Sequence, residues 1–237
     1  MKFIYIKSYL SGALLFLIIT GIILIRSNGN AFISANSTGQ ANSESILIID
    51  AGHGGADGGA VAKNGTRESI INLSIALKLE SLCKLFGLNP IMTRTSEELD
   101  YPSDANSISI KKRWDQNRRL ELINSFQNAI LISIHQNKYP DSRPSGPEVL
   151  YAPNNESKLL GELTHKLLND TLCSHNRRVA SPIADNIYLM NNAKCPAILV
   201  ECGFISNEAE LSLLLNENYQ KKIASVIFSS YISYINQ

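Results

Sequence analysis

Hydrophobic positions in this chain follow two rhythms that alternate along most of its length. Ile46-Leu-Ile-Ile-Asp50 is short and continuously apolar, as a strand buried on both faces should be, and it opens into the glycine-rich turn AGHGGADGGA. From Glu68 to Phe86 the period changes. Ile71, Ile75, Leu79 and Leu82 recur at helical spacing, with Thr66 placed as the N-cap and Gly87 as the C-terminal stop. The same reading predicts strands at about Pro90 to Arg94, at Ala129 to Ile134 ending at His135, at Glu148 to Tyr151, near Asn186 to Leu189, and at Ala197 to Glu201. Helices are predicted around Lys111 to Phe126 and over 155–172, 207–216 and 218–235. Strands alternating with longer helical segments imply an α/β fold, a single domain with a mostly parallel twisted sheet flanked by helices. Between the second strand and the next helix lies the polar stretch TSEELDYPSDANSIS, a loop long enough to contact substrate or a partner.

The N-terminus breaks this pattern. Lys2 and Lys7 precede an apolar run from Tyr9 to Ile25 that Arg26 closes, so residues 1–26 read as a signal-anchor or signal peptide containing an apolar helix. The basic residues favour keeping that end in the cytoplasm, which places the remainder outside, membrane-anchored or secreted. Gly29-Asn30-Ala31 fits a cleavage site poorly, which favours an uncleaved anchor. Residues 27–45, SNGNAFISANSTGQANSES, read as a flexible tether, and residues 46–237 as the folded domain.

Composition narrows the function classes. The chain has 237 residues, of which 44% are apolar, enough for one sizeable core. A net charge of +1 provides no basic field for nucleic acid. Cys83, Cys173, Cys195 and Cys202 form no CxxC pair, which argues against a thiolate metal site or a dense disulfide framework.

The chemistry gathers at one sheet edge. His53 follows the first strand, His135 follows the Ala129 strand, and Glu201 ends the Ala197 strand; in a parallel sheet these carboxyl ends lie together, where ligands bind. Glu68, in the first helical turn after the glycine loop, faces the same edge. Two imidazoles and one carboxylate make a catalytic zinc set with a position open for water, and a second carboxylate remains for proton transfer. Such a set suits hydrolysis of an unactivated amide. A phosphate-binding loop is disfavoured, because neither GxGxxG nor GxxxxGK[ST] is present. Taken singly, each residue has a structural explanation, and His165 and His175, on or after a surface helix and without a motif, receive only that one. Cys202 beside Glu201 raises the alternative of a cysteine peptidase, although adjacent strand residues face opposite sides.

The ordered motifs DAGHGGADGGA, Glu68 at a helix start, SIHQN and VECGFISN resemble those of the zinc-dependent N-acetylmuramoyl-L-alanine amidase family across residues 46–235. NIYLMNNAKCPAILVECGFISN and WDQNRRLELINS are most similar to its germination-specific members from spore-forming bacteria. The resemblance implies an amidase/phosphorylase-like fold and Zn2+ as cofactor. It makes His53, Glu68 and His135 the metal ligands, Glu201 the catalytic acid/base, and Asn137 a substrate contact. It further implies peptidoglycan glycan strands with peptide stems as substrate, a spore-cortex location and δ-lactam formation after stem removal, while the polar insertion at residues 95–109 beside the expected cleft points to control by an accessory protein. Ser69, where the family often has Lys, and Gln136, where a small residue is common, depart from the pattern, as does Lys138; all three put fine substrate contacts in doubt. A wall-binding protein without turnover remains the non-enzymatic alternative, one that would normally lack a ligand or the acid/base carboxylate; all four are present here.

Overall fold

The computed structural model describes residues 45–237. The leader and nearly all of the tether inferred above lie outside them. Among the described residues no helix is long and apolar enough to cross a membrane.

Six strands form one sheet: β1 (Ile46–Ala51), β2 (Ile91–Met92), β3 (Ala129–Asn137), β4 (Glu148–Tyr151), β5 (Ser181–Pro182) and β6 (Ala197–Phe204), in the order β2-β1-β3-β6-β4-β5. β2, β1, β3 and β6 are mutually parallel, whereas β4 runs antiparallel to β6 and carries β5 parallel to itself. The sheet is therefore mostly parallel. Its continuous apolar strands bury both faces, each under its own helices. On one face Leu47, Ile49, Ile132, Ile134 and Val200 pack beneath α1 (Glu68–Leu85), α3 (Asn155–Leu172), α5 (Glu208–Leu214) and α6 (Glu217–Ile235). On the other, Ile48, Leu131 and Leu199 meet Ile123 of α2 (Ile108–Asn124) and Leu189 and Met190 of α4 (Tyr188–Asn192).

Three local expectations need correction. The strand expected near Asn186 to Leu189 is the short helix α4, with Asn191 N–H donating to Ile187 O and Ala193 N–H to Leu189 O; a two-residue strand, β5, comes earlier instead. Too few apolar residues lie there for spacing to separate the two periods. Thr66 does not cap α1. Arg67 occupies the N-cap position without a side-chain bond, and the first helical N–H groups, of Glu68 and Ser69, donate to Ala60 O and Gly58 O of the glycine loop. The loop thus does the capping, which ties its position to Glu68. His165, assigned to a surface helix, instead lies on the buried side of α3, where burial lowers its pKa. The Gly87 stop is present with φ +81°, a left-handed conformation in which a Cβ would be strained. β3 runs two residues past His135, with a register shift against β6 between His135 and Asn137.

Candidate active site

The carboxyl ends of β1, β3 and β6 border a cleft of about 530 Å3, lined by Gly52, Ala60, Lys112, Asn137, Ile187 and Tyr188 among others. Asp50, Ser133 and Leu199 are register partners across β1, β3 and β6, so residues two positions further on share the same face. His135 and Glu201 follow from that register as direct neighbours. His53 reaches the same place from the loop after β1. Among the described non-glycine residues it alone has positive φ, at 60°.

Glycine is required in this loop for contact reasons. A Cβ on Gly52 would overlap the His135 ring, and one on Gly59, at φ +66°, would fall 2.6 Å from both Glu68 Oε2 and His53 Cδ2. With neither present, the two histidine rings approach edge to face at 4.9 Å between centroids. Glu68 Oε1 lies 3.0 Å from His135 Nδ1, and Oε2 lies 3.4 Å from His53 Nε2. One donor atom from each of the three residues falls within 4.8 Å of the others, a separation at which one cation can be shared.

Glu68 is held for this position on both oxygens. Oε2 accepts from Ala60 N–H at 2.8 Å, while Oε1 accepts from Gln136 N–H at 3.0 Å and from Asn72 Nδ2 at 3.3 Å. Burial opposes its charge, yet the His135 hydrogen bond, the nearby imidazoles and the Gln136 amide outweigh it and bring the pKa down to about 2. The site therefore presents an ionised carboxylate.

Asp57 is a residue that sequence reasoning missed. Its Oδ2 is 2.9 Å from His53 Nδ1 and 3.0 Å from Lys112 Nζ, and Oδ1 accepts from Gly59 N–H. Burial opposes its ionisation, but the His53 hydrogen bond and charge and Lys112 hold the carboxyl well below the usual range. With Asp57 as acceptor for an Nδ1 proton, the neutral imidazole would turn its Nε2 lone pair toward Glu68, the arrangement that orients a metal-ligating histidine. A carboxylate four residues beyond His53 in the same loop was the available signal.

Glu201 sits in different surroundings. Burial pushes its pKa up to about 8, with the negative charges of Glu68 and Glu148 adding to the effect and His53 opposing it. Its Oε2 is buried without a hydrogen-bond partner. Adjacent carboxylates in one cleft are thus driven apart, Glu68 ionised and Glu201 protonated, which is how acid/base roles become separated. Glu148, the antiparallel partner of Glu201, accepts from Asn137 Nδ2 at 2.6 Å and pairs with Arg178 Nε at 2.7 Å.

The sequence of residues 47–231 matches the family model described as N-acetylmuramoyl-L-alanine amidase. The chain belongs to that family. The germination-specific N-acetylmuramoyl-L-alanine amidase of Bacillus subtilis (strain 168) is 35% identical over 198 residues, covering 81% of this chain and 80% of the relative. The solved structure of the CwlD amidase from Clostridioides difficile, in complex with the GerS lipoprotein, is also 35% identical and superposes with a TM-score of 0.78 over 81% of this chain and 99% of that one. The catalytic domain of CwlV from Bacillus (Paenibacillus) polymyxa var. colistinus is 26% identical, with a TM-score of 0.68 over 81% of this chain and 99% of its own. The reaction of this amidase is hydrolysis of the bond between N-acetylmuramic acid and L-alanine in peptidoglycan.

The remaining sequence expectations can be placed in the amidase by contact. Ser69 Oγ donates to Glu97 Oε1 at 2.6 Å, and Gln136 Nε2 donates to Asn72 Oδ1 at 3.1 Å, so both departures from the family pattern make bonds within the scaffold that carries Glu68. Lys138 Nζ reaches Val61 O at 3.1 Å. His165 and His175 do not line the cleft. Cys202 is buried on the sheet face opposite Glu201, its Sγ directed to Val200 O, and burial pushes its thiol far above the ordinary range. A thiolate nucleophile is not available there. Cys202→Ala is expected to retain most of the hydrolysis of purified peptidoglycan, measured as new L-alanine amino groups; loss comparable to a Glu201 variant would restore the thiol mechanism.

Proposed function

We propose that this amidase is a zinc enzyme of the spore envelope that strips peptide stems from cortex peptidoglycan, leaving muramic acid that a separate deacetylase prepares for δ-lactam formation. The observation that carries this reading is the meeting of His53, Glu68 and His135 donor atoms within 4.8 Å, beside the buried, unpartnered Glu201 Oε2. Two imidazole nitrogens and one carboxylate oxygen fit zinc by donor type, and the glycines that clear space around them fit a small cation. Zinc bound by His53, Glu68 and His135 supplies Lewis acidity toward the scissile carbonyl and acidifies water.

The chain's own residues provide the rest. In its ionised form Glu201 accepts a proton from the attacking water as the water oxygen joins the lactyl carbonyl carbon, then delivers that proton to the alanine nitrogen as the carbon–nitrogen bond breaks, and its raised pKa favours holding the proton between the two steps. The products are a lactyl carboxylic acid and a free amine, so the proton count closes. Asn137, its amide nitrogen held by Glu148, lines the cleft as a substrate contact. Lys112 and Asp57 keep His53 in a single orientation.

The spore role and the location rest on relatives. A germination-specific amidase shares 35% of residues, and the CwlD structure includes a lipoprotein, which supports an accessory partner for this chain also. The apolar run Tyr9 to Ile25, as a signal-anchor or signal peptide, would place the domain on the outer side of the membrane. Cortex and vegetative peptidoglycan, digested by the chelator-treated full chain with and without added zinc, test the proposal. New L-alanine amino groups should appear on cortex only when zinc is restored. Turnover that ignores chelation would refute the metal, and turnover confined to vegetative wall would refute the cortex assignment.

A further inference from the structure

We propose that Arg94, Glu97 and Tyr101, none of which belongs to the donor set, are positioning residues that hold the His53 loop and the Glu68 turn at metal-binding separation. This inference rests on the zinc reading above. All three come from β2's exit and the polar stretch behind it, which the sequence marks only as a long loop.

Each residue bridges separate parts of the site. Arg94 Nε donates to Ala51 O at 2.8 Å, and its Nη2 donates both to Gly52 O at 3.0 Å and to Ser69 O at 2.8 Å. Ala51 and Gly52 immediately precede His53, and Ser69 immediately follows Glu68, so one guanidinium joins the backbones of two proposed ligands. Its Nη1 reaches Ser96 O at 3.1 Å and Glu97 Oε2 at 3.3 Å. Glu97 repeats the bridge: its backbone O accepts from Gly55 N–H at 2.7 Å, and its Oε1 accepts from Ser69 Oγ at 2.6 Å. The Tyr101 hydroxyl accepts from Ala56 N–H at 3.0 Å and lies 3.4 Å from Gly54 O. Residues on both sides of His53 are therefore fastened from outside the loop.

The loop needs such fastening. His53 has a left-handed backbone that residues with a Cβ adopt reluctantly, and the loop around it makes few sheet-like bonds of its own, Gly54 and Asp57 forming an isolated bridge. A buried guanidinium beneath a cation site opposes the cation electrostatically. Its use there makes sense through geometry, because a rigid fork of N–H donors can satisfy several fixed carbonyls at once and an ammonium cannot. Glu97 offsets the charge.

The test measures zinc affinity of the chelator-stripped full chain by competition with a chromophoric chelator, alongside thermal unfolding of the same metal-free protein. Tyr101→Phe removes the hydroxyl contacts to Ala56 and Gly54, Glu97→Gln removes the carboxylate charge that Arg94 and Ser69 meet, both with little change of shape, and Arg94→Lys keeps the charge without the fork. Each is expected to weaken zinc binding by roughly 10- to 100-fold, the range for residues that orient metal ligands, while the metal-free Tm of Tyr101→Phe stays within a few degrees of wild type. Wild-type affinity in all three variants would overturn the proposal. So would affinity losses that merely track an equal loss of metal-free stability. A wild-type chain that binds zinc no better than His135→Ala would instead bring down the metal reading itself, and this inference with it.

Discussion

Glu201→Gln is expected to lower turnover on peptidoglycan by roughly 10²- to 10⁴-fold, the usual contribution of a positioned general acid/base, while leaving zinc content at the wild-type level. The two halves of this expectation have separate structural origins. Glutamine has almost the volume of glutamic acid, and the cavity that pushes the Glu201 pKa up to about 8 already favours an uncharged side chain. Packing and metal affinity should therefore be little disturbed. What is lost is the capacity to take a proton from water and return it to nitrogen. Metal analysis and release of L-alanine amino groups, measured on one preparation, check both halves. Loss of zinc together with activity would make Glu201 a ligand, and retained turnover would remove it from the chemistry.

The contrast between Glu201 and Glu68 shows what was legible in the sequence and what was not. Strands such as Ile46–Ala51 and Ala197–Phe204 were readable because burial on both faces demands unbroken apolar runs. The positions of His53, His135 and Glu201 at strand ends followed from topology, and the motifs supplied their family. Motif and topology could not supply the opposite protonation preferences of two carboxylates in one cleft. Those preferences depend on which oxygens meet Gln136 N–H or Ala60 N–H and which meet nothing, as with Glu201 Oε2.

The misread segments share a different cause. Thr66 has the right chemistry for an N-cap, but backbone carbonyls of the glycine loop occupy that function. Residues 186–189 contain too few apolar positions for period to separate strand from helix, and α4 is set by packing of Leu189 and Met190 against the sheet. Arg94 read as the end of a strand, Glu97 and Tyr101 as loop residues, and Arg119 as one more residue of a helix. Their bonds to the His53 loop, Ser69 and Asp50 span 25 to 69 positions along the chain, a separation on which local pattern is silent.

Arg119→Met is expected to destabilise the metal-free fold by about 3–5 kcal/mol near neutral pH, the cost of stripping one partner from a buried ion pair. For a domain of this size that is roughly a 10 °C fall in Tm. Arg119 Nη1 donates to Asp50 Oδ1 and to Ala51 O, both at 2.7 Å, and Nη2 donates to His53 O at 2.5 Å. Asp50 would keep only hydroxyl donors, Thr93 Oγ1 at 2.7 Å and Ser133 Oγ at 2.6 Å. Burial alone raises the Asp50 pKa, but Arg119 above all, with Ser133, His135 and Thr93, brings it from 3.8 to about 2 in the native protein. A depressed folded-state pKa contributes stability above the unfolded value, and that contribution disappears as pH falls through the folded one. In wild type this amounts to about 2 kcal/mol, present above pH 4 and lost toward pH 2. Without the guanidinium, burial raises the Asp50 pKa above its unfolded value, so the variant loses stability as pH rises above about 4, from the unfolded value toward the raised folded one. The gap between wild type and Arg119→Met should consequently be widest near neutrality and narrow below pH 4. Urea unfolding of the chelator-treated proteins at pH 7 and pH 3.5 measures both ends, and a gap that is unchanged between them would show that Arg119 acts through packing rather than through the Asp50 charge.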